Sequence, residues 1–195
     1  MADLAVCMLE GFVNKVKGFL FDPVGTFRAS RGDPLSQVLI YFLVLLVIDS
    51  ILSAIIIAAG INMFMFTGIP GMPSPSPAII FIGGIIGGLI GAFIGSLWLH
   101  LWVFVMGGRK GLEMTIKSVL YSSTPSLLLG WIPLISLIGA IWSFILGIYG
   151  IRELHEISTG RAIAAVVIAI IIPVILIVLA LGFFLIAVSS GPIPV

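Results

Sequence analysis

The sequence predicts an all-α fold, a polytopic integral membrane helical bundle with five transmembrane spans. Of its 195 residues, 61% are hydrophobic, and the mean hydropathy of +1.33 exceeds what a soluble fold can bury. Apolar runs long enough to cross a bilayer recur along the whole chain. All nine Lys and Arg residues lie in three polar segments outside those runs. These three observations carry the prediction of the fold class.

The apolar runs divide the chain into three parts. Residues 1–34 form an N-terminal segment, residues 35–188 form the membrane domain, and residues 189–195 form a tail. A span of about 25 residues reaches ~37 Å at ~1.5 Å per residue, enough to cross a ~30 Å hydrocarbon core with some tilt. The loop after the first span contains four prolines and no charge, which excludes regular helix there. The predicted spans are residues 35–59, 78–106, 116–130, 133–151 and 162–188.

The third and fourth spans are predicted as a hairpin, because residues 118–151 carry no charged side chain. One helix of that length would reach about 51 Å, too long for one crossing and too short for two full ones. Pro125, Gly130 and Pro133 interrupt it. We therefore expect two short spans turning at residues 130–133. The sequence leaves open whether this hairpin crosses fully or is re-entrant.

The distribution of basic residues predicts the orientation. Four Lys and Arg residues precede the first span, three lie between the second span and the uncharged run at residues 118–151, and two lie between the fourth and fifth spans. Five spans place all nine on one side, whereas a single crossing by residues 118–151 would put Arg152 and Arg161 on the other. The N-terminus is thus expected in the cytoplasm and the C-terminus outside.

The N-terminal segment contains a predicted amphipathic helix. Leu9, Phe12, Val16 and Phe19 fall at helical spacing, with Lys15 among the polar side chains between them. This pattern predicts an interfacial helix whose lysines approach anionic lipid headgroups. The alternative is a first helix packed against the bundle.

Charges are concentrated in the segment before the last span. Its His-Glu pair resembles the opening of a zinc-protease motif, but the required second histidine position is Thr159. Two interpretations remain for these charges: they hold two spans in register, or they form a docking surface for a cytosolic protein. The residues concerned are Arg152, Glu153, His155, Glu156 and Arg161.

Asp49 lies near the middle of the first predicted span, where an ionised carboxylate costs at least ~2.5 kcal/mol. It is a candidate proton or cation site, or a carboxyl that hydrogen-bonds hydroxyls of neighbouring helices such as Tyr121. His100 lies between Trp98 and Trp102, a pattern typical of an aromatic belt anchor. His100 is expected at a different depth in the membrane from Asp49, so the two side chains are not expected to pair.

Small residues repeat at four-residue spacing in the second span. This pattern favours close helix packing in a bilayer. We expect an intramolecular seam, with a homodimer seam as the alternative. One row comprises Gly83, Gly87, Gly91 and Gly95, and an adjoining row comprises Gly84, Gly88, Ala92 and Ser96.

No catalytic constellation emerges from the sequence. It offers no nucleophile–base pair, paired carboxylates or metal-ligand cluster, so we expect a protein that is not an enzyme and uses no cofactor or metal. The net charge of +1 without a basic block argues against nucleic-acid binding.

Three motifs occur in a characteristic order: "FLFDPVGTFRA", "YSSTPSLLLGWIP" and "GIYGIRELHEISTGRA". Together they resemble the Yip domain family (Ypt-interacting proteins), five-span membrane proteins with a cytoplasmic N-terminus. The positions that carry the resemblance are Asp22, Pro23 and Phe27, then Tyr121 and Pro125, then Gly150, His155, Ser158 and Ala162.

The resemblance implies a membrane-organising role and, in eukaryotic members, partnership with Rab-type GTPases. The characteristic Asp-Leu-Tyr-Gly-Pro segment of eukaryotic members is absent, and the chain looks more like the short prokaryotic branch. A prokaryotic cell membrane is therefore expected, or the Golgi or endoplasmic reticulum for a eukaryotic member. The expected function is a non-enzymatic adaptor in contact with membrane lipids, docking a GTPase-like or other cytosolic protein. A small transporter or channel using Asp49 is the alternative.

Overall fold

The structure, a computed structural model, describes residues 2–61 and 75–189, with side chains described for residues 9–61 and 75–186. Every regular element in these ranges is helical, which confirms the all-α prediction. A single 3-10 turn, Ser30–Gly32, follows the second helix. The helices are α1 (Ala2–Phe21), α2 (Pro23–Ala29), α3 (Leu35–Ala58), α4 (Pro77–Val105), α5 (Leu112–Ser122), α6 (Thr124–Leu129), α7 (Ile135–His155) and α8 (Thr159–Ser189).

Four helices, α3, α4, α7 and α8, are long and apolar enough to cross a membrane. The chain is therefore an integral membrane protein. The predicted third span differs from the other four, because it is split into α5 and α6 at Ser123. Pro125 stands in the first turn of α6, where its missing N–H costs no helical hydrogen bond. Neither short helix qualifies as a span alone, so the count of five stays a prediction.

The helices surround the broken pair α5–α6. Helix α3 packs along α4, α5 and α6 pack against α7, and α8 lies against α4 and α7. Helix α7 continues four residues beyond the predicted end of the fourth span and stops where Glu156 adopts a left-handed conformation with φ 56°. The predicted loop after the first span falls largely within residues 62–74, outside the described residues, as do residues 190–195 of the tail.

The first helix packs into the bundle through one face. Phe19 is fully buried, and its ring centroid lies 4.6 Å from that of Tyr121 and 4.9 Å from that of Phe27. Leu9, nearer the start of α1, remains exposed. The Lys15 ammonium group pairs with Asp33 at 2.5 Å. The face of α1 with Phe19 is packed against the bundle, and an approach of the lysines to lipid headgroups stays a prediction.

The small-residue rows of α4 face different surroundings. A Cβ built at Gly84 would lie 2.7 Å from Oγ of Ser50 on α3, and one at Gly88 would lie 2.5 Å from Cδ1 of Leu46. Cβ atoms at Gly83, Gly87, Gly91 and Gly95 would meet no described atom within 4 Å. An intramolecular seam is therefore present along the row of Gly84 and Gly88. Adjacent helical positions project about 100° apart, so it does not extend to the row of Gly83, Gly87, Gly91 and Gly95. A homodimer seam there stays a prediction.

We expect Gly88→Leu to destabilise the bundle and Gly87→Leu to leave it unchanged. A leucine at residue 88 must displace α3, an overpacking that costs about 1–3 kcal/mol, whereas residue 87 opens away from the chain. Both variants gain the same helix propensity, so thermal unfolding in detergent isolates the packing effect. Equal melting temperatures would refute the assignment of the seam.

Candidate functional site

Three polar segments meet at one end of the bundle, which we call the basic end. It comprises α2 with the following 3-10 turn, the α4–α5 loop at residues 106–111, and the α7–α8 loop at residues 156–158. The Asp22 side chain accepts a hydrogen bond from the Gly25 backbone N–H at 3.1 Å, and Pro23 occupies the first turn of α2. This cap starts a new helix directly after α1. It thereby turns Phe27 into the core and leaves Arg28 on the surface.

Glu153 anchors the N-terminal segment to α7. Its carboxylate is largely buried and accepts from Arg28 Nε at 2.7 Å and from Arg152 Nη2 at 2.6 Å. Arg31 donates to the backbone carbonyl of Glu153 and to the carboxylate of Glu156. These contacts join residues about 125 positions apart in the chain.

Glu156 extends the network to the α4–α5 loop. Lys110 Nζ lies 2.5 Å from its second carboxylate oxygen. The hydrogen bond from Lys110, followed by the attraction of the same ammonium group, lowers the pKa of Glu156. The hydrogen bond that Arg28 donates to Glu153 raises the pKa of Arg28. The ion pairs therefore connect all three segments of the basic end.

The predicted docking residues divide into two groups. Glu153 and His155 are buried, and Glu156 is engaged in two ion pairs. These three residues match the interpretation in which charges hold helices in register. Arg161 is exposed, and its Nη1 would lie 3.4 Å from a Cβ at Gly107 of the α4–α5 loop.

Tyr121 belongs to a second polar cluster. Its hydroxyl donates to Asp33 at 2.5 Å, while Lys15 Nζ lies 3.2 Å from the same hydroxyl. Tyr41 shares a 2.9 Å hydrogen bond with Thr124 at the start of α6. Sequence reasoning selected Tyr121 but missed Asp33, because the Gly-Asp-Pro run before α3 looked only like a turn.

The Asp33 cluster predicts an acid-dependent loss of stability. Burial acts to raise the pKa of Asp33, but hydrogen bonds from Lys15 and Tyr121, with the attraction of Lys15, lower it below its usual 3.8. A carboxylate with a depressed folded-state pKa stabilises the fold above the unfolded-state value, and this contribution is lost as pH falls through the folded-state value. We expect wild type to melt above Asp33→Asn at neutral pH, with the gap closing below about pH 4. An equal gap at both pH values would contradict this role.

Residues from the three sequence motifs converge beside this cluster. The Phe27 ring lies 6.4 Å from that of Tyr121, centroid to centroid. A Cβ at Gly150 would lie 2.9 Å from two Phe27 ring carbons and would overlap Oγ of Ser118. Residue 150 therefore has no room for a side chain, because α2 and α5 both pack against α7 at this position. Pro125 is buried, and its carbonyl oxygen would be 2.8 Å from a Cβ at Gly139.

The two histidines are linked through one hydroxyl. Thr115 Oγ1 lies 2.8 Å from His100 Nδ1 and 2.9 Å from His155 Nε2, joining α4, α5 and α7. Sequence reasoning treated His100 as a belt anchor and did not foresee this link. No group of three metal-binding side chains occurs within the described ranges.

Asp49 meets the hairpin turn between α6 and α7. Its Oδ1 is buried, would lie 3.1 Å from a Cβ at Gly130, and has no hydrogen-bond partner among the described residues. The hydroxyl groups predicted to hydrogen-bond Asp49 have other partners. That of Tyr121, for example, donates to Asp33.

Comparison with known proteins gives one match. A family model described as the Yip1 domain matches residues 17–182, which is most of the chain and includes all three motifs. No curated protein and no solved structure matches the chain.

Proposed function

We propose, from the premise that this chain belongs to the Yip1 domain family, that it is a non-enzymatic membrane adaptor that binds a cytosolic protein at its basic end. The observation that carries the proposal is the ion-pair network built on Glu153 and Glu156. It joins three distant segments into one ordered surface. Ordered surfaces bind partners without the entropic cost of arranging loops.

The exposed part of this surface is basic. The Arg28 side chain is 65% exposed and that of Lys110 49% exposed, while Arg109 and Arg161 are also exposed. Glu153 is buried beneath them, and Glu156, although its side chain is 46% exposed, is paired with Arg31 and Lys110. Such a surface favours an acidic protein, because complementary charge accelerates encounter and selects partners. A GTPase-like partner follows from family resemblance alone.

The proposed topology has five crossings with the basic end in the cytoplasm. Helices α5 and α6 together cover residues 112–129, about 27 Å at ~1.5 Å per residue, close to one hydrocarbon thickness. Counting them as one broken crossing puts eight of the nine Lys and Arg residues on the cytoplasmic side, and the ninth, Lys117 of α5, donates to the backbone carbonyl of Arg31 at that end. The proposed location is the cell membrane of a prokaryote.

The test changes the exposed charges of the surface and leaves the ion-pair network that orders it intact. A photo-crosslinker replaces Ser158 in the α7–α8 loop, and the protein is purified from its native membranes. We expect an acidic cytosolic protein to be captured, and expect the double variant R109E/R161E to lose it while melting like wild type. Lys17→Glu, an exposed change on α1, is the matched control.

Variants of Glu153 would be ambiguous, because loss of the network would unfold the surface itself. Capture of lipid alone, or an unchanged partner set in R109E/R161E, would overturn the proposal.

The unpaired Oδ1 of Asp49 favours a second candidate, a small cation or proton transporter. The carboxyl group lies against a turn between two helices, and discontinuous helices often form ion sites in transporters. Asp49→Asn should then abolish proton or monovalent-cation flux in proteoliposomes while leaving melting unchanged. Flux that persists in this variant would remove the candidate.

A further inference from the structure

A lateral cavity of about 410 Å³ lies among α4, α5, α7 and α8. Small side chains create it: Gly95 on α4, Ala140 and Gly147 on α7, and Ala169 on α8 line its walls. A Cβ built at Gly147 would meet only Ser122 Oγ, at 3.9 Å. The cavity therefore exists because glycine or alanine occupies these positions.

The mouth of the cavity faces the lipid side of the bundle. Phe144 and Ile170 at its rim are 36% and 48% exposed, and Gly95 is exposed between them. The inner wall is closed, because Ser118 is fully buried and Val166 is 6% exposed. All four walls belong to helices within the membrane domain, so hydrocarbon surrounds the opening.

Water does not suit this space. At ~30 Å³ per molecule, the volume corresponds to about a dozen waters, each needing two to four polar partners. The lining offers three hydroxyl groups, and two of them already bond protein atoms: Ser122 to the Val119 carbonyl and Ser143 to Ser126. An apolar occupant is favoured.

One polar atom in the lining lacks a partner. Oγ of Ser118 is buried and has no hydrogen-bond partner in the part of the chain that the structure describes. Ser118 lies beside Gly150, toward the basic end, whereas Ala140 lies near the other end of α7. The cavity is thus closed at its inner end, where Oγ of Ser118 lies against Gly150, and has an apolar course toward the middle of the bundle.

We propose that this cavity binds one acyl chain of a membrane phospholipid. The chain runs along α7 from Gly147 toward Ala140, a distance of about 10 Å at ~1.5 Å per residue. Burying its methylenes beside small residues replaces missing packing contacts between α4, α7 and α8. The bound lipid is then a structural component of the bundle.

The test compares variants that fill the cavity with one that does not. The full chain is reconstituted in vesicles of dioleoyl phosphatidylcholine, extracted in mild detergent, and analysed for retained phospholipid by native mass spectrometry. We expect Gly147→Leu and Ala140→Leu to lower the occupancy of the most tightly retained lipid about tenfold, a 1.4 kcal/mol change. Gly87→Leu, which adds the same side chain outside the cavity, should retain it like wild type.

Two filling variants at separate walls protect the test against misfolding of either one, and thermal unfolding confirms that each remains folded. Equal lipid retention in wild type and both filling variants would overturn the proposal. Equal loss in Gly87→Leu would overturn it as well, because the lipid would then bind elsewhere on the surface.

Discussion

Replacing Phe27 with alanine is expected to cost about 3–5 kcal/mol of the free energy of unfolding, the range for removing a buried phenylalanine from a packed core. Phe27 is fully buried. Its ring packs edge-on to Phe19 of α1 at 4.9 Å and presses on Gly150 of α7. The cavity left by alanine would border all of these contacts. We expect the N-terminal segment to lose its attachment to the bundle.

The matched control is Phe21→Ala, because Phe21 ends the preceding helix and is 83% exposed. It should melt like wild type when both variants are unfolded thermally in the same detergent. Limited trypsin digestion adds a local measurement: Phe27→Ala should expose the bond after Arg28, whose side chain is otherwise paired with Glu153. Equal melting and equal digestion of the two variants would show that α2 does not depend on this aromatic contact.

The hydropathy of the sequence was sufficient to predict the membrane class and the four helices that are long and apolar enough to cross a membrane. Long apolar runs such as Leu35–Ala58 have one structural solution in a bilayer, a helix. The predicted third span agrees less well with the structure. Pro125 was recognised as an interruption, but the sequence did not reveal that α5 begins four residues early and stops at Ser122, with Ser123 separating it from α6.

There is a simple physical reason why the sequence could not show which row of small residues on α4 forms the packing seam. Two adjoining rows of small residues occur on α4, and periodicity gives both the same packing signal. Only the neighbouring helix decides which row is used, and α3 lies against Gly84 and Gly88. This choice depends on side chains such as Leu46, about 40 residues away in the chain, which no local pattern contains.

The polar contacts of the basic end were the least predictable. Glu153 and Glu156 were identified as part of a charged loop, but their partners Arg28 and Arg31 lie about 125 residues earlier. A local reading of the charges therefore left two interpretations open. The same applies to His100 and His155, which become neighbours only through Thr115 of a third helix.

Gly150→Ala should destabilise the protein even though alanine is the better helix former. The new methyl group would lie 2.9 Å from two carbons of the Phe27 ring and would overlap Oγ of Ser118. Such overpacking costs about 1–3 kcal/mol, against a gain in helix propensity of up to about 1 kcal/mol. Gly147→Ala, one turn earlier on α7, receives the same propensity gain and meets only Ser122 Oγ at 3.9 Å. We expect the first variant to melt below wild type and the second at or above it.

A double-mutant cycle can assign this cost to the contact with Phe27. Leucine at residue 27 is smaller than the aromatic ring, so it should relieve part of the clash with a methyl group at residue 150. The destabilisation by Gly150→Ala should therefore be smaller in the Phe27→Leu background than in wild type, giving a coupling of about 0.5–3 kcal/mol. Purely additive effects would mean that the two residues do not share a packing constraint. A coupling of this sign would instead show that the glycine of the third motif exists to receive the phenylalanine of the first, which explains physically why two motifs about 120 residues apart occur together in one chain.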